Sequence, residues 1–282
     1  MSKTTPSYVL LVMLLLVVTP TAGRAADEQW QFGSAPSFSS GTYGTDTRTE
    51  VLYTPITARR LFDDGDLTLV FPVLCVWGNG GVTVVNGTPV RQQRLANSGA
   101  NVSRGGRTTA AVADTSGAAS QCGMGDIVVR GRYYLLDEHG WVPTIAVGAH
   151  VKVPTASAER GLGTGRPDEG IGLEVSRTFA SGTIAMVDGG YTAIGKPAGV
   201  DYSNNWWYDV GIGQDLVKKV VNLSAFFGDY RAILPGYGNG RSILTAVSVT
   251  GANGWRVQVS GEFGLSESAP DHGIAFGASR RF

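Results

Sequence analysis

The stretch from Gly125 to Thr155 most constrains the fold, because its side chains alternate in character over two successive runs. In the run from Asp126 to Leu135, even positions include the charged residues and odd positions are almost wholly apolar. The run from Thr144 to Val153 repeats the alternation after a short polar turn, Asp137–Gly140. Because successive side chains of a strand point to opposite faces, the stretch predicts a β-hairpin with one polar and one apolar face.

The same period of two continues to the end of the chain. It is cleanest from Trp255 to Phe263, where apolar residues alternate with Arg, Gln, Ser and Glu. It is weaker from Trp30 to Ser40 and from Thr47 to Phe62. In the latter run Pro55 predicts a β-bulge, because proline donates no ladder hydrogen bond. The pattern gives about twelve strands, an even number as in bacterial outer-membrane barrels.

The connections between these strands fall into two length classes. Those near Asp64, Glu138, Ser181, Lys218 and Asn253 are short, and those between them are mostly longer. Short periplasmic turns and long external loops are typical of outer-membrane barrels, which would place both termini in the periplasm. The sequence therefore predicts an all-β fold, an antiparallel transmembrane β-barrel. A soluble exported β-sandwich, which also alternates, is the alternative.

The N-terminal segment predicts export through a secretory signal peptide, residues 1–25. Lys3 precedes the apolar run Val9–Val18, and small residues end at Ala25, after which we expect cleavage. An uncleaved anchor is the alternative. No later stretch approaches the ~18 apolar residues that a membrane-spanning helix needs. Because only helices and closed barrels satisfy every backbone group in lipid, residues 26–282 would cross a membrane as one barrel domain.

Composition excludes two classes of protein. The chain has 16% charged and 43% hydrophobic residues and a formal net charge of +0. This hydrophobic content argues against intrinsic disorder. Because the chain has no basic excess, nucleic acid is not an expected partner.

The connection from Gly78 to Gln121 is rich in Gly, Ser, Thr, Asn and Ala and has no sustained period. Compact soluble domains rarely tolerate so long an irregular segment, whereas the external loops of barrels are long. We expect residues 78–121 to form a long external loop or a plug that folds into the barrel. Its arginines would then line a constriction: Arg91, Arg94, Arg104 and Arg107.

Two cysteines, Cys75 and Cys122, bracket this connection. Export permits a disulfide between them. The bridge would close about 46 residues and contribute roughly 4 kcal/mol in the chain-entropy model. Two unpaired thiols are the alternative, because a sequence does not give the Cα separation.

Polar positions of the alternating runs predict the inner wall of the barrel, and they carry both signs of charge. The candidates are Glu50, Asp126, Arg130, Arg132, His150, Lys152, Glu174, Asp188, Asp209, Arg256 and Glu262. Such residues either fill a wet, salt-bridged lumen or line a channel that selects solutes. Most tryptophans lie near strand ends, as in an interfacial girdle. The register of Trp207 turns it to the lumen instead, where it suits stacking on an aromatic ligand.

Residues for catalysis or metal binding are sparse. The three histidines are His139, His150 and His272, and no serine lies two residues from His150 on its face. A barrel lipid hydrolase needs a serine that a histidine activates, so we predict no catalytic site. A distant serine that meets His150 in space is the alternative. No metal-ligand cluster is apparent, and we expect neither a metal nor a cofactor.

The terminal residue Phe282 follows Ile274, Phe276 and Ala278 at a spacing of two. This arrangement resembles the closing strand of bacterial outer-membrane barrels, whose terminal phenylalanine is read by the assembly machinery. The resemblance implies that Phe282 is an assembly signal. An ordinary strand that ends in phenylalanine by chance is the alternative.

Several short motifs carry a resemblance to one family. They are Gly41–Gly44, Gly123–Asp126 opening a strand, Val151–Thr155 closing one, and the glycine-rich Gly161–Gly165 with Asp168 behind it. The chain resembles the outer-membrane proteins grouped as the MetA-pathway of phenol degradation family, also described as transporter-like. The resemblance implies an outer-membrane barrel that takes up small, hydrophobic or aromatic compounds, and it carries no established catalytic residues.

These patterns together predict a channel or transporter for small molecules in the Gram-negative outer membrane. Its expected partners are outer-membrane lipid, the barrel-assembly machinery and a small-molecule solute. A structural or surface-interaction barrel with a filled lumen is one alternative. A barrel lipid hydrolase is another.

Overall fold

The computed structural model describes residues 29–78, 81–85, 88–91, 119–218, 220–251 and 253–282. The predicted signal peptide lies outside this part of the chain. No helix among the described residues is long and apolar enough to cross a membrane. The strands of the described part are β1 Trp30–Ser34, β2 Ser37–Gly41, β3 Thr49–Phe62, β4 Gly65–Gly78, β5 Val82–Val85, β6 Thr88–Arg91, β7 Ala119–Met124, β8 Ile127–Leu136, β9 Thr144–Val153, β10 Asp168–Thr178, β11 Thr183–Ala193, β12 Asn205–Val217, β13 Val221–Tyr230, β14 Gly240–Thr250, β15 Trp255–Gly264 and β16 His272–Arg281.

These strands form a closed, antiparallel barrel of 12 strands, which confirms the predicted fold class and strand number. At two positions in the wall, two consecutive strands take the place of one continuous strand. Strands β1 and β2 both lie between β3 and β16, and β7 and β8 both pair with β4. Within the described part of the chain, strands β5 and β6 pair with each other and with no other strand.

The two faces of the wall differ as the alternation predicts. Large apolar side chains stand exposed on the outer surface, among them Ile171 at 67%, Ile212 at 58% and Phe276 at 56% exposure. Polar side chains such as Asp66 and Ser260 are buried on the inner face. This arrangement inverts that of a soluble protein and is the one that lipid favours on the outside of a barrel.

Both chain ends of the barrel meet at the edge with the short connections. Trp30 donates a backbone hydrogen bond to Phe282 over 3.1 Å, and Phe282 donates one back to Trp30 over 2.8 Å. The turns between β3 and β4, β10 and β11, and β12 and β13 open at this edge, which we call the turn end. The longer connections lie at the opposite edge, the loop end.

The predicted bulge at Pro55 is wrong. Strand β3 pairs with β4 without interruption, and Pro55 lies directly opposite Pro72. The irregularity appears instead in the strands beyond, where β1 gives way to β2 and β7 gives way to β8. Gly125, between β7 and β8, donates to the carbonyl of Pro72 over 2.8 Å. Proline has no N–H to donate. The strand on the far side of each proline therefore loses a ladder hydrogen bond and is interrupted there: β1–β2 beside Pro55 and β7–β8 beside Pro72.

The connection between β4 and β7 is not irregular throughout, since it contains the β5–β6 hairpin. Val82 and Val84 pack on inward side chains of the wall, including Val51 and Leu74. Val85 and Val90 pack on a second cluster with Ile194, Val200, Tyr202 and Ile233. The hairpin therefore lies inside the loop end of the barrel. The dipeptide Asn86-Gly87, which is typical of tight hairpin turns, is the sequence signal that predicts it.

Candidate functional site

The barrel encloses a cavity of about 890 Å³. Its lining extends from Asp66, close to the turn end, to Asn205 and Tyr230 at the loop end. The β5–β6 hairpin contributes part of the wall near the loop end through Val85 and Val90. Ionisable groups from strands on all sides converge on this space: Arg59, Asp66, Arg130, Arg132, His150, Glu174, Asp188, Asp209, Asp229 and Glu262.

Most of the predicted inner-wall residues line this cavity. They are Arg130, Arg132, His150, Glu174, Asp188, Asp209 and Glu262. Four others do not line it: Glu50, Asp126, Lys152 and Arg256. The sequence missed Arg59 and Asp66, because β3 and β4 carry apolar residues on both faces near their centres and their inner faces are harder to recognise.

Glu50 lies on the outer face, so its predicted inward direction is wrong. Its neighbours Val51 and Tyr53 are 1% and 9% exposed and pack against the β5–β6 hairpin. Strand β3 therefore turns its apolar face inward near the loop end, where the hairpin covers it. Arg256 lies closer to the turn end than the cavity does, and its Nη2 donates to Ser248 Oγ over 3.3 Å.

Asp126 and Lys152 form a buried ion cluster with Asp168 instead of lining the cavity. Lys152 Nζ lies 2.7 Å from Asp168 Oδ2 and 3.2 Å from Asp126 Oδ2, and it donates to Thr164 Oγ1 over 2.8 Å. The side chains of all three charged residues are at most 5% exposed. Each carboxylate also accepts a 2.9 Å backbone hydrogen bond, Asp126 from Ala156 and Asp168 from Gly195. The cluster thus fastens two loops over the loop end.

An acidic row crosses one side of the cavity wall. Glu174 lies opposite Asp188 across β10 and β11, and Asp188 lies opposite Asp209 across β11 and β12. Like charges at directly opposite positions of neighbouring strands disfavour folding. A row that disfavours folding and lines a cavity is typical of a functional surface.

The basic groups lie mainly on the other side of the cavity, where they form an ion-pair network near the turn end. Asp66 Oδ2 lies 2.7 Å from Arg59 Nη2 and 3.0 Å from Arg132 Nε. Arg132 also reaches the acidic row, with its Nη1 2.8 Å from Glu174 Oε2. The network holds both arginines against the wall and leaves Asp188 and Asp209 outside these pairs.

Two aromatic rings lie against glycines of the cavity wall. A Cβ on Gly190 would stand 3.0 Å from the ring of Trp207, and one on Gly211 would collide with the ring of Phe226. Trp207 and Phe226 both line the cavity. Glycine at these positions lets each ring rest on the backbone and present its face to the cavity. The register of Trp207 in the sequence predicts this placement.

The β5–β6 hairpin narrows the loop end with apolar side chains. Val85, Pro89 and Val90 line the cavity, whereas Arg91 does not. Arg91 lies 4.0 Å from the centre of the Tyr237 ring and donates to the carbonyl of Gly44. Arg91 therefore lies outside the cavity lining, and its role in a basic constriction stays a prediction. Arg94, Arg104 and Arg107 lie outside the described residues.

Tyr43 closes the cluster around the hairpin from the loop between β2 and β3. It is fully buried, and its hydroxyl lies 3.0 Å from Ser39 Oγ. Burial raises the pKa of Tyr43 to about 12, so its hydroxyl remains neutral near pH 7.

Cys75 and Cys122 are disulfide-bonded across β4 and β7, with their Cα atoms 4.1 Å apart. The bridge joins the two strands from which the hairpin-bearing connection emerges. It therefore limits how far the base of this connection can open.

Phe282 ends the wall beside the first strand. Its backbone pairs with Trp30, and its ring lies 6.1 Å from that of Phe32. Its role as an assembly signal stays a prediction.

Among the described residues, no group of three or more His, Cys, Asp and Glu is placed to hold a metal ion. The hydroxyl beside His150 belongs to Thr192, whose Oγ1 lies 3.4 Å from Nε2. A barrel lipid hydrolase needs a serine in hydrogen-bond contact with the histidine ring, whereas this contact comes from a threonine.

One solved outer-membrane channel shares the fold, and other solved outer-membrane proteins match more weakly. An outer membrane channel from Pseudomonas putida F1 matches with a TM-score of 0.61 at 13% identity, over 94% of this chain and 100% of that chain. The KdgM porin in complex with disordered oligogalacturonate matches with a TM-score of 0.47 at 8% identity, over 89% of this chain and 99% of that chain. The P. putida toluene transporter TodX matches with a TM-score of 0.46 at 11% identity, over 92% of this chain and 91% of that chain. At these identities the first match shows the barrel fold alone, and the two lower TM-scores carry no further argument.

Comparison with curated proteins gives no match. The model of the family described as "Putative MetA-pathway of phenol degradation" matches residues 75–282. The match begins in β4 at the disulfide and ends at the terminal residue, so it takes in the acidic row and the aromatic rings of the cavity. Because it covers well over half of the sequence, the chain belongs to this MetA-pathway of phenol degradation family.

Proposed function

We propose that this protein is a channel through which small molecules, including hydrophobic and aromatic ones, cross the outer membrane. The observation that carries the proposal is the cavity of about 890 Å³ inside a closed barrel with an apolar outer surface. Because its lining extends from the turn end to the loop end, the cavity follows the barrel axis. A space in that position, lined by both charged and apolar groups, suits solute passage.

The proposal includes the outer membrane of a Gram-negative cell as the location. A signal peptide cleaved after Ala25 would deliver the chain to the periplasm. The assembly machinery would read Phe282 and insert the barrel with its turn end in the periplasm. The partners are then outer-membrane lipid, that machinery and a small-molecule solute.

The cavity wall supports a preference for neutral and cationic solutes over anions. Its carboxylates outnumber its arginines, which are Arg59, Arg130 and Arg132. The carboxylates are Asp66, Glu174, Asp188, Asp209, Asp229 and Glu262. An excess of one sign in a narrow, low-dielectric passage concentrates the opposite ion. The flat rings of Trp207 and Phe226 offer surfaces on which an aromatic solute can stack. The phenol-degradation description of the family agrees with such a solute.

Planar bilayers test this proposal. Purified protein should give discrete current steps, and a KCl gradient should give a reversal potential that indicates preference for K⁺. Changing Asp188→Asn together with Asp209→Asn should move the reversal potential toward that of Cl⁻, because it removes two negative charges from the wall. An anion-selective wild-type protein would contradict the charge argument.

The matched control removes two carboxylates that do not line the cavity, Asp201→Asn with Asp271→Asn. This control should leave the reversal potential unchanged. An equal shift in both double variants would mean that net charge, and not the acidic row, sets the selectivity.

A structural barrel with a filled lumen is a second candidate function, which two observations favour. The β5–β6 hairpin fills the loop end, and the network of Arg59, Asp66, Arg132 and Glu174 spans part of the turn end. Absence of current in both the intact protein and a variant without the hairpin would support this candidate over the channel.

A further inference from the structure

One structural motif occurs three times on the outer surface at the turn end: an arginine between two aromatic rings. At Arg280 the guanidinium carbon lies 5.7 Å from the ring centre of Trp255 and 4.6 Å from that of Phe282. The other two are Arg60 with Trp30 and Phe62, at 5.3 and 5.9 Å, and Arg177 with Trp141 and Phe179, at 5.1 and 5.5 Å. We call these the rim arginines.

The rim arginines face the membrane side of the wall. Arg280 follows the exposed Phe276 and Ala278 at a spacing of two, and Phe282 continues the same face. Aromatic residues in this position form the belt at the boundary between hydrocarbon and headgroups. The rings hold each guanidinium at that depth, where lipid phosphates lie.

The rim arginines have no carboxylate partner within the described part of the chain, where the salt bridges involve other cations. Arg177 Nη2 donates to the backbone carbonyl of Gly140 over 2.6 Å, and Glu138 accepts from the backbone N–H of Thr178. The Nε atoms of Arg177 and Arg280 find no hydrogen-bond partner in the same part of the chain. The outward edge of the Arg280 guanidinium therefore remains for an anionic acceptor from outside the protein, and hydrogen bonds between ionised groups are the strong ones.

A groove beside Arg280 adds a second feature, which extends from the same two rings to Phe32 and Ala278. It has a volume of about 310 Å³ and runs along the outer wall between β1, β15 and β16. Phe32, Trp255, Ala278 and Phe282 form its apolar walls, and Arg280 stands at its edge. An occupant that matches both features has an anionic head and an apolar chain.

We propose that Arg280 and this groove form a binding site for an anionic glycerophospholipid of the leaflet at the turn end. The phosphate accepts hydrogen bonds from the Arg280 guanidinium, and an acyl chain lies along the groove. Arg60 and Arg177, each beside two aromatic rings, are positioned to hold further anionic headgroups around the rim. A free phosphate ion would leave the apolar walls without a partner, so the lipid is the better match.

The site rests on the barrel lying in a membrane and not on conduction. A protein that binds the lipid and passes no current would overturn the proposed channel function and leave this site standing.

Native mass spectrometry of the detergent-solubilised protein tests the site. Titration with phosphatidylglycerol should give a saturable one-lipid adduct, and phosphatidylcholine of the same chain length should bind about tenfold more weakly, since it lacks a net negative charge. Arg280→Gln should lower phosphatidylglycerol affinity about tenfold. The matched control is Arg256→Gln, which removes one positive charge from the opposite face of the neighbouring strand β15. Its phosphatidylglycerol affinity should stay within about twofold of the wild-type value.

Ala278→Trp provides a second variant that keeps every charge and fills the groove. The Ala278→Trp variant should also weaken phosphatidylglycerol binding. If Arg280→Gln does not refold, this variant alone tests the site. Equal affinity for the two lipids would overturn the site. So would wild-type affinity in both the Arg280→Gln and the Ala278→Trp proteins, or an equal loss in Arg256→Gln.

Discussion

Replacing Lys152 by methionine should destabilise the barrel by about 3–5 kcal/mol, the usual cost of leaving a buried ion pair without one partner. Lys152 is 1% exposed and lies within 3.2 Å of Asp126 and Asp168. Without the ammonium, two buried carboxylates face each other and the loops that they hold lose their anchor. Urea unfolding of the barrel in lipid vesicles, followed by tryptophan fluorescence, measures the loss.

Lys196→Met is the matched control, because Lys196 pairs with Asp201 on an open loop, with side chains 52% and 88% exposed. It should change the free energy of unfolding by less than about 1 kcal/mol. Combining Lys152→Met with Asp126→Asn and Asp168→Asn should recover much of the loss, because no charge remains buried. Equal unfolding midpoints for Lys152→Met and Lys196→Met would contradict the cluster's role.

Deleting residues 82–91, with a short glycine-serine bridge in their place, should raise the single-channel conductance severalfold. The hairpin lies inside the loop end, where Val82 packs on the wall and Val90 lines the cavity. Removing it widens the loop end of the cavity, and ion current rises with cross-section. Planar-bilayer recordings of both proteins at one salt concentration measure the change.

The control for this deletion removes residues 95–112 and keeps the hairpin. It shortens the same connection, between the disulfide-bonded strands, and should leave the conductance near that of the wild type. If this control opened the channel and the hairpin deletion did not, the predicted constriction at Arg104 and Arg107 would be the better account.

The sequence predicts the strands of this barrel well because lipid outside and water inside produce a period of two. Strands β10 to β16 follow it, and their outward residues, such as Ile171 and Phe276, are exposed as predicted. The rule assumes that the inner face is polar. Near the loop end of β3 it is not, because the β5–β6 hairpin covers Val51 and Tyr53, and Glu50 was therefore assigned to the wrong face.

Alternation gives the face of a residue but not its height in the barrel. Lys152 and His150 share one face of β9, yet His150 lines the cavity and Lys152 joins the ion cluster above it. Height depends on the shear of the whole barrel and on which loop folds over each strand end, and neither is local in sequence. Asp168 is not predicted for the inner wall because it ends the polar, glycine-rich stretch before the alternation begins at Ile171, whereas β10 already begins at Asp168.

The central claim is that solutes pass through the interior of the barrel, and covalent block of current tests it most directly. The two native cysteines are disulfide-bonded, so an introduced cysteine is the one thiol that a reagent can label. Asp188 lines the cavity, whereas the adjacent Val187 is 51% exposed on the outer face. We predict that a bulky, membrane-impermeant methanethiosulfonate reagent blocks the current of Asp188→Cys and leaves that of Val187→Cys unchanged. Unblocked current in Asp188→Cys after confirmed labelling would contradict the account.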